Sequence, residues 1–334
     1  MKKFLTLLCL FISLTITAQA SDNSYLDKVL PDYRQAAANY IFNYTSDAEL
    51  AKAPAFMQQT TAQGRETITA PAVKGGAAVT MYVYRPQNAN GKPLPVIYYS
   101  HGGGYLFRKA LDNTARYQNL ADGTGAAVIT VDYRLSTEAP FPAALTDAYN
   151  GLLYIRQNAQ NLGVDGENII LMGDSAGGGL SAALALYNRD NANIPLKGQV
   201  LIYPMLDYRT GTEASPYNAK YTGQICWNRP TNVYAWDKLR GGQNISAEML
   251  PYFSPAMAQD LSNLPPALIY VGGLDLFVNE DLAYANKLIE CGINTTLYVV
   301  PGLYHAFENA VPQAEQSQLF WQRVYNFSAE QLAE

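Results

Sequence analysis

The sequence predicts an α/β fold, in which a mostly parallel central sheet carries helices on both faces. Two observations lead to this fold class. Apolar runs such as residues 126–131 and 267–271 have the length and composition of strands buried on both faces. Residues 142–158 and 280–290, which follow such runs, repeat apolar side chains at helical spacing. Strands that alternate with helices favour a parallel sheet, because each parallel connection needs a crossover.

The first twenty residues have the three parts of a secretory signal peptide. A pair of lysines precedes an apolar stretch at residues 4–16, and an Ala-Gln-Ala sequence offers a small-residue cleavage site before Ser21. The apolar stretch is shorter than the roughly 20 residues needed to cross a bilayer. We therefore expect residues 1–20 to be removed, leaving a periplasmic or secreted protein with no stable membrane anchor.

Two segments are expected to form a cap over the main domain, residues 67–334. Residues 21–66 contain helical pieces broken by Pro31 and Pro54. Residues 207–262 are rich in Tyr, Trp, Asn and Gly and lack a steady period, which is typical of a lid insertion. The apolar side chains spaced for a covering face in the first segment are Ile41, Phe42 and Leu50.

The main domain begins with a predicted hairpin and continues with strands and helices in turn. Turn residues at Lys74-Gly75-Gly76 precede a strand at 79–84. The other predicted strands are at 96–100, 169–172, 200–203 and 296–300, and the last helix is at 313–326.

Charge and cysteine content narrow the function classes. The net charge of −5 leaves no basic stripe, so nucleic acid is not expected as a partner. Once the signal peptide is removed, two cysteines remain. Cys291 closes a helix and Cys226 lies in an irregular segment, so we expect buried thiols rather than a disulfide.

The central motif is a serine between two glycines, Gly173-Asp174-Ser175-Ala176-Gly177. It follows the strand at 169–172 and precedes a run of small residues that predicts a helix. A serine on such a sharp turn has its hydroxyl pushed outward at the carboxyl edge of the sheet, and the glycines let backbones approach closely. The pattern predicts a nucleophile elbow.

A second glycine motif, His101-Gly102-Gly103-Gly104, follows the strand at 96–100. Successive glycines free backbone N–H groups to point at one spot. Together, the two motifs make the chain similar to the bacterial hormone-sensitive lipase family of α/β-hydrolases. The resemblance implies an α/β-hydrolase fold with a helical cap. It also implies an oxyanion hole formed by the N–H groups of Gly102, Gly103 and Ala176.

The base and the acid of a catalytic triad are expected on two later loops. The chain has two histidines, and since His101 opens the glycine loop, His305 is the candidate base. Asp275 follows the strand at 267–271 and is the candidate acid, which gives the order Ser, Asp, His seen in such enzymes. Glu280 and Asp281 fall on the next helix, where we expect them to face solvent or the positive helix terminus.

These residues predict a serine carboxylesterase that forms an acyl-enzyme on Ser175. An amidase or peptidase with the same triad is the alternative within enzymes, and a non-catalytic ligand receptor on the same fold is a further alternative. The mechanism requires no metal and no organic cofactor. The expected partner is a small-molecule ester, and the sequence leaves a homodimer open.

We expect a preference for short acyl chains, of roughly two to six carbons, because a pocket enclosed by a cap has limited apolar volume. Arg108 stands where the resembled family commonly has glycine. Its side chain either occupies the channel or is paired there, which disfavours a long apolar tail, or it reaches water at the loop surface.

Overall fold

The computed structural model describes residues 24–53, 66–73, 76–89, 91–217 and 220–333 of the 334-residue chain. The predicted signal peptide lies outside these residues. So do Pro54 and the Lys74-Gly75 pair of the predicted hairpin turn. Within the described ranges, no helix combines the length and the apolar character needed to cross a bilayer.

The core is an eight-stranded, mostly parallel sheet, which confirms the predicted fold class. Its strands in chain order are β1 (Glu66–Ala70), β2 (Val79–Tyr84), β3 (Leu94–Ser100), β4 (Ala127–Val131), β5 (Val164–Asp174), β6 (Gly198–Ile202), β7 (Ala267–Gly272) and β8 (Thr295–Val300). They lie side by side in the order β1-β2-β4-β3-β5-β6-β7-β8. β2 runs antiparallel to β1 and β4, and the pairs from β4 to β8 are parallel. The β1–β2 pair is the predicted hairpin.

Helices cover both faces of the sheet. They are α1 (Pro31–Ala37), α2 (Asp47–Leu50), α3 (Thr114–Thr124), α4 (Ala143–Gln157), α5 (Ala159–Leu162), α6 (Ala176–Asp190), α7 (Arg229–Arg240), α8 (Leu250–Phe253), α9 (Val278–Glu290), α10 (Phe307–Ala310) and α11 (Glu315–Ala333). The pleat of a strand sends alternate side chains to opposite faces. Tyr98 of β3 accordingly packs in one apolar cluster with α4, α6 and α9, and Tyr99 packs in the other with α3 and α11.

The two segments predicted to form the cap contact each other through their backbones. The N–H of Cys226 donates to the carbonyl of Tyr40, and the N–H of Phe42 donates to the carbonyl of Cys226 at 2.9 Å. The Asn228 side-chain amide donates to the Phe42 carbonyl at 2.7 Å, while the Thr231 hydroxyl accepts from a backbone N–H of the same stretch at 3.1 Å. These bonds fix residues 40–44 against residues 226–231.

The expectation that Ile41 and Phe42 lie on helical pieces is wrong. Both residues lie in an extended stretch between α1 and α2, and Ile41 is 48% exposed. The stretch is extended because its backbone groups bond to the Cys226 segment instead of to a helical turn. Pro31, treated as a break, is the first residue of α1, a position where its missing N–H costs nothing.

The two described cysteines are free, as expected. Cys226 is buried and Cys291 is half-buried. Burial raises the pKa of the Cys226 thiol, which is hydrogen-bonded to the side chain of Tyr40. Among the described residues, no group of three or more His, Cys, Asp or Glu side chains is placed to hold a metal ion.

Candidate active site

Ser175 lies on a sharp turn between the end of β5 and the start of α6. Its φ of 57° is in a region that non-glycine residues rarely occupy, at a cost of about 1–3 kcal/mol. Two hydrogen bonds to the next strand and its loop hold this backbone: the Ser175 N–H donates to Ile202 at 2.8 Å, and its carbonyl accepts from Met205 at 3.0 Å. The strained turn is therefore determined by its surroundings, and it presents the hydroxyl at the carboxyl edge of the sheet.

The two glycines of the motif allow the close approach that the sequence predicts. A Cβ atom on Gly177 would overlap the carbonyl oxygen of Ser100 in β3. A Cβ atom on Gly173 would overlap the carbonyl oxygen of Gly177. Any side chain at either position would push the elbow away from the neighbouring strand.

The structure brings together the three predicted residues of the triad. His305 Nε2 lies 2.9 Å from Ser175 Oγ, and His305 Nδ1 lies 2.8 Å from Asp275 Oδ2. Asp275 is in the loop from β7 to α9, and His305 is in the loop from β8 to α10. All three side chains are buried. The carboxylate can only accept, so Nδ1 carries the proton and Nε2 is free to accept from the serine hydroxyl.

Backbone and ring contacts hold the acid and the imidazole in place. Asp275 Oδ1 accepts a hydrogen bond from the N–H of Phe277 at 2.9 Å. The N–H of Leu274 donates to the carbonyl of Leu303 at 2.8 Å, which ties the two loops together. The imidazole packs edge-on against the rings of Tyr203 and Phe277.

The prediction that Glu280 and Asp281 face solvent or the helix terminus is wrong in its main part, because both side chains are fully buried. Glu280 accepts from the N–H groups of Leu206 at 2.7 Å and Asp207 at 3.2 Å and from the Thr210 hydroxyl. Burial raises the pKa of both carboxyl groups well above their usual range. Glu280 thus holds the loop after β6, and neither residue bonds to His305.

The oxyanion loop differs from the prediction at one position. The N–H of Gly102 donates to Asp174 Oδ1 at 3.1 Å, so it is already engaged and the assignment of Gly102 is wrong. By contrast, no acceptor among the described residues takes the N–H groups of Gly103, Gly104 or Ala176. The free N–H groups of the loop therefore belong to Gly103 and Gly104, one position further along the chain than the predicted pair Gly102 and Gly103.

His101 has a structural role in this loop. Its Nδ1 lies 2.8 Å from the Gly102 carbonyl, and its ring stacks on Tyr133 with centroids 4.3 Å apart. The Tyr133 hydroxyl donates to the His101 carbonyl at 2.7 Å. Burial lowers the pKa of His101, which favours the neutral ring. These contacts fix the loop that precedes the free N–H groups.

Residues 97–309 match a family model described as an alpha/beta hydrolase fold. The chain belongs to this α/β-hydrolase family. An arylesterase from Saccharolobus solfataricus is 33% identical over 226 residues, which cover 67% of this chain and 71% of the relative. Carboxylesterase NlhH of Mycobacterium tuberculosis is 33% identical over 236 residues, covering 67% and 70%.

Solved structures agree with the sequence relatives. A bacterial heroin esterase superposes with a TM-score of 0.81 at 28% identity, covering 92% of this chain and 99% of that one. The esterase LipW from Mycobacterium marinum gives a TM-score of 0.79 at 29% identity, covering 92% and 98%. The family suggested by the two glycine motifs is thereby confirmed.

In this α/β-hydrolase, a small cavity of about 40 Å³ is lined by Ser175 and His305. Four lining residues come from the two segments predicted to form the cap and were not predicted as site residues: Tyr40, Phe42, Cys226 and Trp227. The Trp227 ring sits so close to the glycine loop that a Cβ on Gly104 would overlap it. The only sequence signal for these residues was the aromatic content of the cap segments.

A larger cavity of about 420 Å³ lies outside the catalytic one and does not touch Ser175. The two cavities share Phe107 and Arg108 in their walls. The outer wall is apolar at residues such as Leu50 and Leu135, with Lys109 and Lys238 beside them. Phe107 and Arg108 therefore mark the boundary between the reacting atoms and the outer space.

Proposed function

We propose that this α/β-hydrolase is a carboxylesterase that cleaves esters through an acyl-enzyme on Ser175. The observation that carries the proposal is the continuous hydrogen-bonded chain from Ser175 Oγ through His305 to Asp275, buried under a cap. The relatives named above are esterases, which supports ester hydrolysis here.

Each residue of the hydrogen-bonded triad has a defined role in the reaction. As Ser175 Oγ attacks the acyl carbon, its proton passes to His305 Nε2, which then protonates the leaving alcohol. A water molecule then attacks the acyl-enzyme with the same proton transfers through His305, and the acid is released. Asp275 holds the tautomer in which Nδ1 carries the proton, and it stabilises the imidazolium that forms. Because Asp275 is buried and takes a backbone N–H, its orientation is fixed before substrate binds.

The oxyanion of the tetrahedral intermediate would be bound by the N–H groups of Gly103, Gly104 and Ala176. Gly103 and Gly104 line the catalytic cavity, and Ala176 follows the nucleophile at the start of α6. Donors that are already in place when charge develops lower the barrier without reorganisation. Gly102 contributes indirectly, since its bond to Asp174 fixes the loop.

The small cavity supports a preference for short acyl chains. A volume of about 40 Å³ holds only a few heavy atoms, and aromatic rings from both cap segments limit its extension. We propose that residues 21–66 and 207–262 form the cap and that residues 67–334 otherwise form the hydrolase domain. Within the described ranges, the cap contributes cavity walls and no group of the hydrogen-bonded chain.

Turnover of a chromogenic acetyl ester, and of the matching acetyl amide, tests the proposal. Wild type should release the chromophore from the ester with an initial burst, and Ser175→Ala should lower kcat by about a thousandfold or more. Asp275→Asn should also lower kcat by orders of magnitude. Ser181→Ala is the matched control, because it removes a buried hydroxyl from α6, the helix that follows Ser175, and this hydroxyl does not bond to His305.

Three results would contradict the proposal. Residual activity above a tenth of wild type in Ser175→Ala would place the nucleophile elsewhere. Faster turnover of the amide than of the ester would favour the amidase alternative, while tight binding of the ester without turnover would favour the receptor alternative.

A further inference from the structure

Arg108 is a largely buried cation beside the reacting atoms. Its side chain is 22% exposed and lines both the catalytic and the outer cavity. Its Cγ lies against Gly103, 3.3 Å from where a Cβ of that glycine would stand. The backbone of Arg108 has a φ of 75°, a conformation in which glycine is favoured. A strained, charged residue is thus kept at the oxyanion loop, where a glycine would be the easier choice.

The guanidinium has almost no partner within the protein. Its nearest carboxylate oxygen is Asp174 Oδ2 at 3.9 Å, beyond hydrogen-bond distance. The other oxygen of Asp174 is occupied by the Tyr99 hydroxyl and the Gly102 N–H. Among the described residues, none accepts a hydrogen bond from the Arg108 side chain. The Arg108 donors face the two cavities and have no acceptor in the part of the chain that the structure describes, so they are free to bind a group that enters there.

The neighbouring lysines differ from Arg108 in this respect. Lys109 faces Glu138 at 3.6 Å, and Lys238 faces Asp47 at 2.5 Å. Both lie in the wall of the outer cavity only. Arg108 is therefore the cation at the boundary of the two cavities whose hydrogen-bonding groups are still available.

We infer that Arg108 binds a carboxylate carried by the substrate, so that the enzyme prefers esters with a carboxylate on one arm. This inference rests on the proposed esterase function. A guanidinium matches the planar carboxylate with two parallel hydrogen bonds. Asp174 lies close enough to repel a second negative charge, which favours a singly charged carboxylate over a phosphate.

The arm that carries the carboxylate leaves the catalytic cavity at Arg108. The space beside Ser175 is too small for a long arm, and the outer cavity begins at the same side chain. Either the acyl arm or the alcohol arm could pass this way. In one case the substrate is a monoester of a dicarboxylic acid, and in the other it is an ester of a hydroxy acid.

Two pairs of substrates show whether the carboxylate is carried by the acyl arm or by the alcohol arm. The acyl pair is a 4-nitrophenyl hydrogen adipate and its methyl-capped counterpart, and the alcohol pair is an acetylated 4-hydroxybenzoate and its methyl ester. The measured quantity is the ratio of kcat/KM for the charged ester over the neutral one. In wild type, one pair should give a ratio of roughly ten- to a hundredfold, the range of a charge-assisted hydrogen bond.

The variants separate recognition from a structural effect. Arg108→Gln should bring the ratio near one, mainly through KM, and Arg108→Lys should restore part of it. Arg108→Gly should also bring the ratio near one. Because the φ at this position suits glycine, this variant should fold even if Arg108→Gln does not. Arg156→Gln is the matched control, because Arg156 is a surface arginine that lines neither cavity, and it should keep the wild-type ratio.

Several outcomes overturn the inference. One is a wild-type ratio at or below one for both pairs while the neutral esters are still cleaved, which leaves the proposed function intact. Equal loss of turnover on charged and neutral esters in Arg108→Gln, or loss of the ratio in Arg156→Gln, also refutes it. If wild type cleaves none of the esters, the proposed function fails and the inference fails with it.

Discussion

Replacing Asp281 by asparagine should stabilise the protein increasingly as the pH rises. The side chain is fully buried in α9, and neither carboxylate oxygen has a hydrogen-bond partner in the described part of the chain. Burial, together with the charges of Glu280 and Asp275, raises its pKa well above the usual range. The folded protein therefore retains a proton that the unfolded chain loses near pH 3.9.

The sign and size of the effect follow from proton linkage. Between the unfolded and the folded pKa, the native state binds one more proton, so the free energy of unfolding falls by about 1.4 kcal/mol for each pH unit. Asp281→Asn removes this ionisable group, so the variant lacks its contribution to the pH dependence of stability. Relative to wild type, the variant should gain up to about 3 kcal/mol between pH 5 and pH 7.

Urea unfolding at pH 5, 6 and 7 measures the difference directly. Glu290→Gln is the control, because it removes an exposed carboxylate from the same helix and should give a curve parallel to wild type. Asp281 makes no contact with His305, so kcat should change little in the variant. Parallel pH dependences for wild type and Asp281→Asn would refute the reasoning, since they would mean that Asp281 is ionised in the folded protein.

Three other predictions concern the elbow, export and substrate size. Gly177→Ala should lower the free energy of unfolding by about 3 kcal/mol and abolish turnover, because the new methyl group overlaps the Ser100 carbonyl oxygen. Urea unfolding and kcat measure the two effects, and a stable, active variant would contradict the prediction. Protein recovered from the envelope of a Gram-negative host should begin at Ser21, which N-terminal sequencing checks, and active enzyme that retains Met1 would reject export. Among acetyl, butyryl, octanoyl and palmitoyl esters, kcat/KM should be highest for acetyl or butyryl, and an optimum at octanoyl or longer would defeat the short-chain proposal.

The sequence predicts the sheet well because its strands are apolar on both faces. Strands β4 and β7, for example, appear where the apolar runs place them. Helices α3 and α7 were not predicted, since their apolar side chains are few and their polar faces hide the period. The local signal for these helices is weak, and tertiary packing supplies the rest.

Site residues were predictable where a motif fixes the backbone, and not where a distant residue decides. Ser175, Asp275 and His305 follow from loops at strand ends. The hydrogen bond that occupies the Gly102 N–H depends on Asp174, which ends the neighbouring strand β5 and is far from Gly102 in sequence. Glu280 was misplaced because an acid in a first helical turn usually meets the helix dipole, whereas here a loop after β6 supplies its donors.

The bonds between residues 40–44 and 226–231 have a consequence for the order of folding. They join positions 187 residues apart, as between Tyr44 and Thr231. Such a closure is entropically costly until the intervening sheet has brought its ends together. We therefore expect the part of the chain that the ribosome makes early to be among the last to dock. Since Tyr40 and Phe42 form walls of the catalytic cavity, the substrate site is completed only when the amino-terminal segment arrives.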